Sequence, residues 1–198
     1  MLSFDPKENT ERENYKLLIG SIIPRPIAFV TSVAEDGTVN GAPFSYFNIV
    51  SSNPPMISIS VQRKNGIRKD TARNIFEKKE FVVHIVDNEN VDKINSTAAS
   101  MAPDESEVEK VNFTLVPSKC ISVPGIKESK VRFECTLEKL IELGEGTDLI
   151  IGKIEHFHVD ETIYENGRIN HEILGAVSRL AGTNYAEIGE VFSLERPE

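Results

Sequence analysis

The sequence predicts a closed β-barrel with a few short helical decorations. Three observations carry this reading. Short strand-like runs, among them 27–34, 56–62, 80–86 and 131–137, recur along most of the chain. Turn signals separate them, at Glu35-Asp36-Gly37-Thr38, Asn53-Pro54-Pro55, Gly144-Glu145-Gly146-Thr147 and Glu165-Asn166-Gly167. Only two or three segments read as helices, all of them short. Many strands at close spacing with few helices is a barrel pattern.

Residues 10–20, TERENYKLLIG, read as a helix with Thr10 as N-cap and Gly20 as its stop. Two prolines then bracket Arg25 and keep the backbone there extended and stiff. Residues 27–34 form a strand, and 38–48 return as a second, interrupted by Gly41 and Pro43. MISISVQ (56–62) alternates cleanly as a third. Residues 70–79 read as a helix capped by Asp70 or Thr71. A strand at 80–86, a short polar helix over 88–100 and a mobile acidic loop over 102–112 follow. In 131–137, Val131, Phe133, Cys135 and Leu137 alternate with Arg132, Glu134 and Thr136. The pattern slips at Glu138-Lys139, which signals a bulge. Residues 148–159 are a long return strand, and the tail from 176 is mixed.

The chain has 198 residues and is read as one domain over 1–198, with its core at about 20–187. A chain of this size buries roughly 70% of its unfolded surface and needs no disulfide or metal to hold a core. Lys+Arg is 22 and Asp+Glu is 31, giving a net charge of −9. That balance argues against nucleic acid or an anionic membrane as partner, because phosphate neutralisation needs excess Lys and Arg. The N-terminus has no apolar leader segment, and no apolar run approaches the roughly 20 residues of a membrane helix. The expected location is the cytoplasm. Two cysteines make no framework and are expected to stay reduced, Cys135 in the core and Cys120 in a loop.

Three constellations could carry chemistry. Residues 63–73, RKNGIRKDTAR, hold Arg63, Lys64, Arg68, Lys69 and Arg73 against one Asp and lead into a helix start. Free backbone N–H groups, positive helix dipole, cations and a hydroxyl make either a phosphate cradle or a solvated basic loop. The run 41–55 is dense in hydroxyls, aromatics and Asn. It suits the edge of a planar heteroaromatic ring, or is an ordinary strand–loop with Phe44 and Phe47 in the core. His156 and His158 share one side of a strand, as a metal pair or as a solvated or packed pair. No third ligand stands out nearby, so no metal is expected. G-x-S-x-G, G-x-G-x-x-G and Walker A patterns do not occur.

The order of segments resembles the flavin reductase-like family of FMN-binding split-barrel proteins, which includes flavoredoxin. The resemblance rests on PRPIAFVTS, GAPFSYFNIVSSNPP, SISVQR followed by KDTARNI, FVVHIV, LIIGKIEHFHVDE and RLAGTNYA. It implies a mainly β fold, a six-stranded antiparallel Greek-key split barrel with short flanking helices. It also implies a homodimer with FMN in a cleft near the interface.

Carried over by motif, the resemblance implies that Arg25 lies in the flavin site, with Thr31 and Ser32 on the facing strand. Ser45, Tyr46, Phe47 and Asn48 would meet the ring and ribityl chain, helped by Ser51 and Ser52. Ser60, Arg63, Lys69, Asp70 and Thr71 would hold the ribityl chain and phosphate. Lys69 and Thr71 are the chemically strongest phosphate ligands, expected at the surface, while Asp70 caps the helix or orients Lys69. Arg179 and Tyr185 would close over the flavin. The implied activity is that of an FMN-dependent oxidoreductase moving electrons between NAD(P)H, FMN and an acceptor. Two alternatives stand beside it. One is a non-enzymatic flavoredoxin-type carrier taking electrons from a protein donor, and the other a barrel for a different phosphorylated ligand. The cofactor, not an acid–base pair, would set the mechanism. Tyr46 and His158 are the candidate proton donors.

Overall fold

The computed structural model describes residues 1–98 and 105–197. In chain order the elements are α1 (Glu11–Ser21), β1 (Arg25–Pro26), β2 (Ala28–Val33), β3 (Val39–Phe44), β4 (Phe47–Ser52), β5 (Pro55–Gln62), α2 (Asp70–Lys78), β6 (Glu80–Ile85), α3 (Val91–Ser96), α4 (Glu107–Lys110), β7 (Leu115–Val116), β8 (Gly125–Ile126), β9 (Val131–Leu143), β10 (Thr147–Val159), β11 (Tyr164–Glu165), β12 (Arg168–Ile169), α5 (His171–Leu174), β13 (Val177–Arg179) and β14 (Tyr185–Glu187). The helix expected over 88–100 is α3, and its last two residues lie outside the described residues. So does the start of the expected acidic loop, 102–104, while its remainder contains α4.

Seven antiparallel strands form the main sheet, in the order β3-β2-β6-β9-β10-β5-β4. The split-barrel architecture is as expected, with one strand more than six. The single strand expected over 38–48 is two, β3 and β4, and they lie at opposite edges of the sheet. Among the described residues no ladder joins these edges, so the barrel is split rather than closed. Only Ser45 and Tyr46 connect them, which keeps the two edges side by side. The Tyr46 carbonyl accepts from Ser60 N–H at 2.9 Å and ties this crossover to β5. Pro43 has no N–H to give a ladder, which suits it to an edge strand.

α1 starts at Thr10 with a capping box, in which Thr10 Oγ1 accepts from Glu13 N–H and the Glu13 carboxylate accepts from Thr10 N–H. The helix runs past Gly20 to Ser21, so that glycine does not stop it. β2 is buried on both faces. Ala28 and Val30 face a core of Ile57, Ile59, Ile75, Phe81 and Ile150, while Ile27 and Phe29 pack on Ile94, Val108 and Phe113 from α3, α4 and the loop after them.

Two bulges shape the β9–β10 hairpin. Ile151 pairs with Lys139 and Gly152 with Leu137, so Glu138 is the extra residue, where the alternation slips. Ile154 pairs with Cys135 and His156 with Glu134, so Glu155 is extra as well. The second bulge reverses the alternation. Ile154 points into the core while His156 and His158 lie on the other face, with Glu134 and Arg132. At Gly152 the strand passes so close to the Phe81 ring that a Cβ would overlap it. The Asn166-Gly167 turn has positive φ at both residues, 50° and 79°, as a two-residue hairpin requires.

His84 is fully buried on β6. Its Nδ1 lies 3.0 Å from the Phe29 carbonyl oxygen, and its Nε2 accepts from Ile126 N–H at 3.0 Å. Nε2 is therefore the bare nitrogen, and Nδ1 carries the proton. Burial pushes the imidazolium pKa down to about 3. Below about pH 6.5 the unfolded chain takes up a proton that the folded one refuses, so stability falls with pH. Urea unfolding from about pH 7 to about pH 5 should cost the wild type about 2 kcal/mol more than His84→Gln. Parallel pH profiles would show that His84 is not held neutral.

Candidate functional site

The site is built around the N-terminus of α2. Lys69 occupies the N-cap position in extended conformation, and no side chain caps the helix. Neither predicted cap acts as one. Asp70 is the first helical residue and pairs with Arg73 at 2.6 Å, while Thr71 Oγ1 donates to Asn40 Oδ1 at 2.8 Å. The first backbone bond of the helix runs from Arg73 N–H to the Lys69 carbonyl. The N–H groups of Asp70, Thr71 and Ala72 therefore have no acceptor among the described residues. Such a helix start carries partial positive charge.

The five cations of 63–73 separate into two groups. Arg63 chelates the buried Asp148 through Nε at 3.0 Å and Nη2 at 2.6 Å, and also reaches Glu142. Arg68 binds the same two carboxylates. Burial alone would raise the Asp148 pKa, but the two guanidinium groups hold it below the usual range. Arg73 is taken by Asp70. Lys64 and Lys69 alone in the run have no carboxylate within ion-pair distance among the described residues.

These groups open onto a cleft. One part, of about 520 Å³, is lined by Asn40, Lys64, Arg68, Lys69, Asp70 and Thr71, with Glu107 behind them. A second part, of about 330 Å³, is lined by Tyr15, Arg25, Ser45, Tyr46, Ser60, Gln62 and Arg179. The two parts share Pro43, Phe44 and Lys69, so the cleft follows the split between the sheet edges. Arg25 is buried, and its guanidinium donates to the carbonyls of Ile19, Ile22 and Leu180. Its Nε is buried without a partner among the described residues. Burial raises the Tyr46 pKa, which keeps the phenol protonated.

Of the residues named from sequence, the cleft brings together Arg25, Ser45, Tyr46, Ser60, Lys69, Asp70, Thr71 and Arg179. It does not bring in the others. Thr31 is buried and donates to the Pro124 carbonyl, and Ser32 is buried between Asn40 and Asn74. Phe47 packs on the core. Asn48 Oδ1 accepts from Ile49 N–H, and Ser51 Oγ accepts from Asn53 N–H. Arg63 is held by Asp148. Tyr185 stacks under Arg179 and donates to Asn95, forming a support outside the cleft wall. Thr71, expected at the surface, is buried with its hydroxyl proton committed to Asn40. His158 pairs with Glu134 in a different cavity. No group of three metal-ligating side chains occurs among the described residues.

Two contributors escaped the sequence reading. The Glu107 carboxylate accepts from Asn40 Nδ2 at 2.9 and 3.1 Å and from Gly41 N–H at 3.2 Å. Asn40 in turn holds Thr71, so this chain of bonds fixes the first turn of α2 against β3. Burial raises the Glu107 pKa. Glu107 sits in an acidic stretch that read as exposed loop, and Asn40 in a strand that gave no polar signal.

A family model of the flavin reductase like domain matches residues 19–173. The chain belongs to this family. The uncharacterized protein YwrF of Bacillus subtilis (strain 168) is 50% identical over the whole length of both chains. Nitrilotriacetate monooxygenase component B from Bacillus cereus is similar in structure, at 59% identity and TM-score 0.97 over 98% of each chain. The 2-nitrobenzoate 2-nitroreductase NbaA of Pseudomonas fluorescens is similar at 32% identity and TM-score 0.91, over 99% of this chain and 96% of that one. Family membership supports an oxidoreductase role and a flavin cofactor.

Removing the Glu107 carboxylate leaves the Asn40 amide and Gly41 N–H buried without acceptors. Glu107→Ala should therefore cost about 1–3 kcal/mol in urea unfolding. A change within about 0.5 kcal/mol, the scale of an ordinary surface substitution, would mean that the bonds to Asn40 do not hold α2 in place.

Proposed function

We propose that the chain binds FMN in the cleft and acts as an oxidoreductase moving electrons between NAD(P)H, the flavin and an acceptor. The observation that carries this reading is the N-terminus of α2, uncapped by any described side chain, beside two lysines without an ion-pair partner among the described residues. Three free N–H groups and an exposed ammonium are the donor set that a phosphate monoester needs. Lys69 and the N–H groups of Asp70, Thr71 and Ala72 would hold the phosphate, with Lys64 adding charge at the rim. Ser45, Tyr46 and Ser60 would face the rest of the cofactor. Arg63 and Tyr185 act one step back, as supports.

Bound there, FMN would supply hydride acceptance and onward electron transfer. The protein's own groups bind, orient and tune. Arg25 keeps a fixed positive charge in the wall, which favours negative charge developing nearby. Tyr46 Oη keeps its proton and stands ready as a donor. No side chain is assigned as catalytic. The reading also takes the chain as a single domain, a homodimer and a cytoplasmic protein. The exposed Leu18, Ile22, Ile23, Ile49 and Val50, on α1, the turn after it and β4, support the dimer, because burying them needs a partner surface.

The protein reconstituted with FMN should show flavin absorbance that bleaches on anaerobic addition of NADH or NADPH. Bands that persist would favour the electron carrier fed by a protein donor. Lys69→Ala should weaken FMN binding at least about tenfold, since a charge-assisted bond contributes about 1.5–3 kcal/mol. Because Lys69 is exposed, the unfolding midpoint should not move. Unchanged FMN affinity would place the phosphate elsewhere.

A further inference from the structure

A second cavity, of about 370 Å³, shares no lining residue with the cleft. β7 and the loop after it, the loop before β9, and the strands β9 and β10 line it. Four cations line it, Lys119, Lys127, Lys130 and Arg132, against one carboxylate, Asp160. In a chain of net charge −9 this is a local reversal of sign.

The nearby carboxylates are accounted for. Glu134 is buried beneath the site, where Lys119 N–H and Cys120 N–H donate to it at 2.7 Å each and His158 Nε2 lies at 2.6 Å. Burial alone would raise its pKa, but His158 and the two N–H groups hold it low, as a carboxylate. Asp160 accepts from the N–H and hydroxyl of Thr162. Lys130 is paired with Glu89 at 2.7 Å and lies 4.0 Å from Asp87. That leaves Lys119, Lys127 and Arg132 without a carboxylate partner among the described residues.

Arg132 is the key cation of this pocket. It is half-buried, and its guanidinium makes one hydrogen bond, from Nη1 to the Ile126 carbonyl at 3.2 Å. Burial disfavours its charge, and the nearby Glu134 carboxylate offsets this only in part, with no ion-pair contact to Arg132 among the described residues. Across the ladder it stands opposite His158, whose ring meets His156 edge-on at 4.7 Å. Both imidazoles reach this face because of the bulge at Glu155. Phe157, half exposed, completes the lining.

We propose that this cavity binds a small oxyanion, a carboxylate or phosphoryl group, with Arg132 as its principal anchor and Lys119 and Lys127 at the rim. A planar guanidinium with unused N–H groups matches either group in a bidentate manner. The volume of this open pocket is at the lower end of the small-molecule range. The acidic remainder of the chain repels an extended polyanion such as nucleic acid.

The chain has four histidines, so their imidazole C–H resonances form a simple spectrum. Inorganic phosphate and benzoate are titrated separately, each against sodium chloride at matched ionic strength. The His156 and His158 resonances should shift and saturate on the order of 1 mM, while His171, on α5, stays still. Saturation with phosphate alone identifies a phosphoryl site, and with benzoate alone a carboxylate site. Arg132→Gln should weaken binding at least about tenfold. The Lys119→Ala/Lys127→Ala variant alters only exposed positions and should weaken it in the same direction, which keeps the test sound if Arg132→Gln folds poorly. Shifts that chloride reproduces, or saturation that both variants leave unchanged, would overturn the proposal.

Discussion

The structure depends on a helix start that the protein leaves without a side-chain cap. The first residues of α2 line the cleft, and nothing in the described chain accepts from their N–H groups. Such groups are costly to strand, so water or a ligand must satisfy them. The surroundings keep them in place. Thr71 is tied through Asn40 to Glu107, and Ala72 and Ile75 are buried in the barrel core. The Arg63 and Arg68 clamp on Asp148 and Glu142 fixes the loop that delivers Lys69. These restraints would preorganise the proposed anion site, because its donors need no rearrangement on binding.

The split is itself a consequence of topology. β3 and β4 are consecutive in the chain yet lie at opposite edges, joined by Ser45 and Tyr46. That crossover runs along the cleft and presents two hydroxyl side chains to it. On the far end of the sheet order, β2 is shielded on both faces, and the close pass of Gly152 over Phe81 lets the long hairpin curl around the core. Rigid walls and an unlatched seam are the same design seen from two sides.

Much of this was legible in the sequence, for reasons that are local. Thr10 as N-cap, Asn166-Gly167 and the slip at Glu138-Lys139 are signals carried by neighbouring residues, and each appears where it was read. The basic run marked the start of α2 and the cleft beside it for the same reason. What was hidden depends on distant partners. Arg63 looked like a phosphate ligand because Asp148, its partner, is 85 residues away. Thr71 looked exposed because Asn40 lies on another strand. The bulge at Glu155 cannot be seen in a pattern of period two, because it reverses that pattern. Without it, His156 and His158 would sit on the opposite face. The break at Ser45-Tyr46 is likewise a matter of sheet order, which alternation does not encode.

The central claim is that the open start of α2 holds a phosphate. The most direct measurement is the affinity of the wild-type protein for FMN against that for riboflavin, by quenching of flavin fluorescence. The two ligands differ only in the phosphate. The account predicts that FMN binds at least about a hundredfold more tightly, the equivalent of about 2.7 kcal/mol in phosphate contacts. Equal affinities would show that the cleft recognises the ring alone and that the N-terminus of α2 plays no part in holding the ligand.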